Sequence, residues 1–159
     1  MKKQIVLLCL MAFLLTPSSV VVPGVMTARI VQGKSISIQT HVVTQYSVAA
    51  RYNVIGLLAH NTLAGAEFNQ MRVGMRVYVM TGGRVEVFRV SEIRRYQALD
   101  LHRFMDLTTG KRLTDVELFR LVYMGERHVT FQTCIANGKD LAWGRLFVIA
   151  VPDLEGVIR

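Results

Sequence analysis

Short runs in which apolar and polar residues alternate constrain this chain more than any other feature. Ser35-Ile36-Ser37-Ile38-Gln39 has period two, as do Arg76-Val77-Tyr78-Val79-Met80, Arg84-Val85-Glu86-Val87-Phe88-Arg89-Val90 and Val129-Thr130-Phe131-Gln132-Thr133-Cys134. On an extended backbone successive side chains point to opposite faces, so each run has one face to bury and one to leave wet. Two further runs of strand length, residues 52–59 and 145–151, are apolar almost throughout. Thr81-Gly82-Gly83 joins two of the alternating runs, and Asn137-Gly138 lies between Cys134 and Arg145; both are hairpin signals. One helix is expected, opened by a capping box at Thr114-Asp115-Val116-Glu117 and running to Val122, with a helical turn somewhere in residues 61–71. The pattern predicts a mainly all-β chain, an antiparallel sandwich or closed barrel with one or two short helices.

A chain of 159 residues, 52% of them hydrophobic, suits one domain whose core needs no disulfide staples. Its formal net charge of +8 is scattered. With no basic arm and no basic run interleaved with aromatics, nucleic acid is not an expected partner. Lys2 and Lys3 precede eleven apolar residues, Ile5 to Leu15, and a polar break at Thr16-Pro17-Ser18-Ser19. That is the layout of an export leader, too short to cross a bilayer, which takes about 20 residues. The apolar stretch Val20 to Met26 would extend it into an uncleaved anchor, and cleavage near Ala28 would remove it. Residues 1–28 are therefore expected to be a signal peptide or N-terminal membrane anchor, and 29–159 the folded domain, secreted or held on the extracellular side of the membrane. Of two cysteines, Cys9 lies in the leader, so the exported domain would carry one thiol, Cys134, with no disulfide partner.

A thiol nucleophile needs a proton donor or acceptor close by and positive charge where an oxyanion forms. Cys134 ends one expected strand, Arg145 opens the next, and His60 closes another. If residues 129–134 and 145–151 pair about position 139 or 140, Cys134 and Arg145 become cross-strand neighbours, about 5 Å apart at Cβ if directly opposite. His128 shares the strand parity of Cys134, but six extended residues set it roughly 20 Å away. His41 and His102 have no motif around them. Glu67, Glu86 and Glu92 are dispersed, so no metal site and no cofactor is expected.

Thr130-Phe131-Gln132-Thr133-Cys134 resembles the Thr-Leu-x-Thr-Cys strand of sortases, with Phe131 in place of leucine. Eleven residues after the cysteine, Trp143-Gly144-Arg145 leads into Leu146-Phe147-Val148-Ile149-Ala150, similar to the arginine strand of that family. Upstream, Ile55-Gly56-Leu57-Leu58-Ala59-His60-Asn61, then Glu67-Phe68 and Val73-Gly74-Met75-Arg76-Val77-Tyr78-Val79, resembles the segment around its histidine, with Ala59 where glycine is usual. The resemblance runs over about residues 52–151. It implies a closed antiparallel eight-stranded sortase-like β-barrel and a cysteine transpeptidase. Cys134 would attack a backbone carbonyl and form a thioester. His60 would serve as acid and then base, Arg145 would steady substrate and oxyanion, and Thr133 would help hold the substrate backbone. The partners implied are exported proteins with a C-terminal sorting motif and an amine acceptor from the cell wall or another protein. Residues 101–128 would correspond to the loop that contacts the motif. An L,D-transpeptidase also uses secretion, cysteine and histidine, but characteristically carries Ser-His-Gly-Cys where this chain has Phe131-Gln132-Thr133-Cys134. A non-enzymatic exported β-barrel binding anionic cell-surface polymers would leave Cys134 idle.

Overall fold

In the computed structural model, which describes residues 17–33 and 35–154, ten strands form one continuous sheet. They are β1 (Ser19–Val22), β2 (Met26–Gly33), β3 (Val42–Tyr46), β4 (Ile55–Leu58), β5 (Arg76–Thr81), β6 (Arg84–Ala98), β7 (Arg103–Asp106), β8 (Arg112–Thr114), β9 (Val129–Asn137) and β10 (Asp140–Pro152). Eight of them close a barrel in the order β10-β9-β4-β3-β2-β1-β5-β6, with β6 pairing back onto β10. β7 and β8 continue outward from β6. Three short helices are present among the described residues: α1 (Ser47–Ala50), α2 (Ala64–Phe68) and α3 (Asp115–Tyr123).

The sequence pattern accounts for most of this. Alternating residues of β5 and β6 put Val77, Val79, Phe88 and Val90 into the barrel, and the chain reverses at Gly82-Gly83 with Thr81 opposite Arg84. β10 is apolar on both faces because both are covered: Leu146, Val148 and Ala150 fill the barrel, while Phe147 and Ile149 lie under α3. Leu118, Val122 and Tyr123 of α3, with Phe104 of β7 and Leu113 of β8, complete that second, outer core. The capping box is formed, the Thr114 hydroxyl accepting from Glu117 N at 3.2 Å and the Glu117 carboxylate from Thr114 N at 2.8 Å. Beyond the end of β10, Asp153 accepts hydrogen bonds from Arg76 and Arg89, each at 3.0 Å, tying it to β5 and β6. Burial alone would raise that carboxyl's pKa, but the two guanidinium groups hold it below the usual carboxylate range.

Four expectations need correction. The sheet is mixed, not purely antiparallel: β2 runs parallel to β3 and β4 to β9. Neither pair is a hairpin, so no turn imposes antiparallel pairing. Residues 35–39 form no strand, whereas β3, β7, β8 and α1, unsuspected from the sequence, do form. Among the described residues there are three short helices where one or two were expected. Finally, the stretch Val20 to Met26 is not a leader extension but supplies β1 and the start of β2. Val20, Val22, Met26 and Ala28 are buried, and β1 pairs with both β2 and β5. The barrel thus takes in residues from Ser19, and a chain beginning at residue 29 would lack the strand between β2 and β5. The apolar run Ile5 to Leu15 lies outside the described residues.

Candidate active site

Two of the residues singled out above, Cys134 and Arg145, lie on the adjacent strands β9 and β10, and His60 follows two residues after the end of β4, the other neighbour of β9. β4 and β9 run parallel with Leu57 beside Phe131 and Leu58 beside Gln132. The Ala59 N–H then donates to the Gln132 carbonyl at 3.2 Å, extending the register one residue past the end of β4, and His60 comes next. On the other side β10 runs antiparallel to β9, and Arg145 is the direct partner of Cys134. Leu57, Ala59, Phe131, Leu146 and Val148 all point into the barrel. Cys134 and Arg145 have the opposite parity, so they stand in one row on the outer face, with His60 following Ala59 at the end of the neighbouring seam. The hairpin was expected to pivot at 139 or 140. Its tip instead pairs Asn137 with Asp140, and an irregularity between Asp140 and Gly144 restores the Cys134–Arg145 match.

His60 is fixed from below and from the side. Its carbonyl accepts from the N–H groups of Leu63 and Gly65, both at 3.0 Å. Gly65 is required there: a Cβ would collide with the Thr133 hydroxyl and come within 2.6 Å of the His60 carbonyl oxygen. The buried Thr133 hydroxyl donates to the Ala59 carbonyl at 2.9 Å, tying β9 to the residue before the histidine. Its side chain therefore lies on the barrel side, behind the row. The Thr62 backbone N–H donates to His60 Nδ1 at 3.3 Å, so in the neutral ring the proton sits on Nε2. The Thr62 hydroxyl lies 2.9 Å from the same nitrogen. A hydroxyl can donate to a bare Nδ1 or accept from a protonated one, so this contact survives either charge state.

Arg145 is held locally. Its Nη1 donates to the carbonyls of Ala142, at 3.0 Å, and Gly144, at 2.9 Å. No carboxylate pairs with it among the described residues. Asn61 Nδ2 donates to the Leu141 carbonyl at 3.0 Å, a strap from the histidine loop to the arginine arm. A Cβ on Gly144 would lie 2.5 Å from the Tyr96 carbonyl oxygen, so the absence of a side chain lets β10 close on β6 beside Arg145.

A cavity of about 360 Å³ adjoins the row. Leu58, Gln132, Arg145 and Phe147 form its floor; Leu118, Phe119, Val122 and Tyr123 of α3 form one wall, with Phe104 and Ser35-Ile36 at its margins. Asp115 stands at the edge with its carboxylate 2.8 Å from His102 Nδ1. Hydrogen bonding between these two raises the histidine's pKa and lowers the aspartate's. The remaining histidines are elsewhere. His128 is buried with its ring nitrogens 2.6 Å from the Glu126 carbonyl and 3.1 Å from that of Val122, and His41 is exposed before β3.

Sequence reasoning missed Asn61, Thr62, Gly65 and the groove residues Gln132 and Tyr123. The first two follow His60 directly, and that adjacency was the available signal. Gly65 and Tyr123 act through contacts far away in the chain, for which the sequence holds no local sign.

The closed barrel has the fold of the sortases. Among solved structures, sortase A from Corynebacterium diphtheriae is similar with a TM-score of 0.64 at 15% identity, over 89% of this chain and 63% of that one. Sortase C from Clostridium perfringens SM101 gives 0.57 at 17%, over 85% and 68%. The sortase D5 transpeptidase of Clostridium perfringens gives 0.58 at 14%, over 86% and 78%. No family model and no curated protein matches the sequence. Likeness at such identities establishes the fold; any chemistry has to be argued from the side chains.

Proposed function

We propose that this protein is a sortase-like cysteine transpeptidase, secreted or tethered through its N-terminus on the extracellular side of the membrane. It would cleave exported proteins at a C-terminal sorting motif and pass the acyl group to an amine from cell wall or protein. The pairing of Cys134 with Arg145 on the outer face, with His60 one residue past the Ala59–Gln132 bond and an apolar groove alongside, is the observation that supports this reading. A sortase C from Clostridium perfringens has been solved with the C-terminal cell wall sorting motif, which supports that substrate class for the fold.

The Cys134 sulfur, as thiolate, adds to the scissile carbonyl carbon, and the electron pair moves to oxygen. Arg145, whose Nη1 is anchored to two carbonyls, turns its remaining N–H donors to that oxyanion. The thiol proton of Cys134 passes to His60, giving the thiolate and an imidazolium. The imidazolium then gives its Nε2 proton to the departing amine as the C–N bond breaks, leaving a thioester and a neutral ring whose bare Nε2 can take a proton from the incoming amine. Thr62 keeps its contact with Nδ1 through both steps. Thr133 serves as a positioning residue, acting on His60 through Ala59.

The test is intact-mass spectrometry of the full chain incubated with peptides randomised around a Leu-Pro-x-Thr-Gly-like core. The expected outcome is an adduct on Cys134 that hydroxylamine releases and that Cys134→Ala does not form. Arg145→Ala should slow its appearance roughly a hundred- to a thousandfold. A folded protein that forms no adduct, and whose Cys134 also resists general thiol reagents, would make the inert polymer-binding barrel the better account.

A further inference from the structure

Gln132 is a polar residue on the floor of a largely apolar groove, and its side chain is aimed. It precedes Cys134 by two residues on the same strand face, which sets their side chains about 7 Å apart along β9. Its carboxamide oxygen accepts a hydrogen bond from the Tyr123 hydroxyl. The Tyr123 ring is 3% exposed, with Tyr46 and Phe147 edge-on to it and Phe119 tilted against it. Gly56 of β4 gives that ring its room, since a Cβ there would lie 3.0 Å from Tyr123 Cε1. Burial raises the pKa of the phenol, which keeps its hydroxyl a donor. With its oxygen engaged, Gln132 is left with two amide N–H donors that make no hydrogen bond among the described residues and are not sealed from the cavity. Around them stand Leu58, Leu118, Val122 and Phe147.

An aliphatic side chain lying over those donors would desolvate them unpaired, whereas a side-chain oxygen would satisfy them. We propose that Gln132 is a specificity-determining residue that selects a peptide residue bearing a side-chain oxygen, of the serine, threonine or asparagine kind, about two positions from the scissile carbonyl. The word scissile rests on the transpeptidase reading above; the contact itself requires only that a peptide occupy the groove.

Binding therefore tests it without chemistry. Peptides with a fixed core, carrying serine, threonine, asparagine, leucine or valine at each position in turn, are titrated by fluorescence anisotropy against the full chain bearing Cys134→Ala. The same titrations are run with Gln132→Met added, which keeps length and volume, and with Tyr123→Phe added, which removes the aim but not the amide. Thermal melts verify that each variant is folded. At one position the oxygen-bearing residues should bind roughly ten- to a hundredfold more tightly than the aliphatic ones. Gln132→Met should abolish or invert that preference, and Tyr123→Phe should narrow it. A preference that survives Gln132→Met overturns the proposal, as expected if the amide met a backbone carbonyl common to all peptides. So does failure of every peptide to bind. Failure of the transpeptidase reading would look different: selective binding to Cys134→Ala, with no thioester on the parent protein.

Discussion

His60 and Arg145 flank the same cysteine, yet the chain holds them by different means. Between His60 and Cys134 lies a parallel seam whose strands are joined through some seventy residues, so no turn sets its register. The alignment depends instead on buried contacts: Ala59 N–H to Gln132, Thr133 to the Ala59 carbonyl, and Gly65 packed under the His60 carbonyl. Between Arg145 and Cys134 lies a hairpin, whose register follows from its own turn. The guanidinium is hung on carbonyls one and three residues away, near the surface. The His60 arm is thus continuous with the barrel core, and disturbing it should cost stability as well as any chemistry at Cys134. The Arg145 arm is a local fixture, and disturbing it should cost little stability.

Two glycines make the sharpest trial of that contrast. Gly65→Ala drives a methyl into the Thr133 hydroxyl and toward the backbone of His60, neither of which can yield without opening the seam. It should lose about 3 kcal/mol of stability, as overpacking of a tight site does, and lower the melting midpoint by roughly 10 °C. Gly144→Ala meets the Tyr96 carbonyl at 2.5 Å, but beside an irregular stretch that can shift. A loss of about 1–2 kcal/mol is expected. Urea titrations of both variants measure the difference, and the comparison breaks if the order is reversed.

Smaller changes probe the same two arms. Thr133→Val keeps the shape of a buried side chain while deleting its bond to Ala59, and should cost about 1 kcal/mol. If the proposed transpeptidase reading holds, it should also slow thioester formation at Cys134 by loosening His60. Asn61→Ala cuts the strap to Leu141, an exposed bond, and should change stability by less than about 0.5 kcal/mol. Its mark would be faster amide exchange in residues 138–144, leaving β4 unaffected. If instead Asn61→Ala unfolded the protein more readily than Thr133→Val, the arginine arm would be the structural one.

The contrast also governs what could be read in advance. Cys134 and Arg145 are tied by a hairpin, and its Asn-Gly signal placed them together to within the irregularity at residues 140–144. The β5–β6 hairpin and the capping box at Thr114 were legible for the same reason: each is decided by a few adjacent residues. That His60 would stand beside Cys134 followed only from resemblance, because parallel pairing at a separation of 74 residues leaves no local trace. The groove was illegible for a related reason, since Tyr123 reaches Gln132 only once α3 lies across the outer face of β10. Residues 20–22 misled differently. Three consecutive valines show no alternation, and following a leader-like run they looked like its continuation, although Val20 and Val22 face the core.

A third tie, His102 to Asp115, belongs to neither arm and bears on the groove wall alone. It joins the β6–β7 connection to the first turn of α3, and both side chains are largely exposed, 78% and 44%. The pair raises the pKa of His102, so the histidine's contribution is complete below its ordinary value and is lost as pH climbs through the raised one. It lowers the pKa of Asp115, so that contribution is present above the ordinary carboxylate value and is lost as pH falls through the lowered one. The tie is therefore strongest between about pH 4 and 6.5 and fades toward alkaline pH. Exposure to water and salt keeps the effect small. Amide exchange of residues 100–103 and 115–117, corrected for intrinsic rates, should quicken modestly between pH 6 and 8, while β9 and β10 stay unchanged. In His102→Asn the same segments should show no such pH dependence. Quickening that spread to residues 130–134 would instead mean that the groove wall and the strand bearing Cys134 open as one unit, and the separation of the two arms from the wall would have to be abandoned.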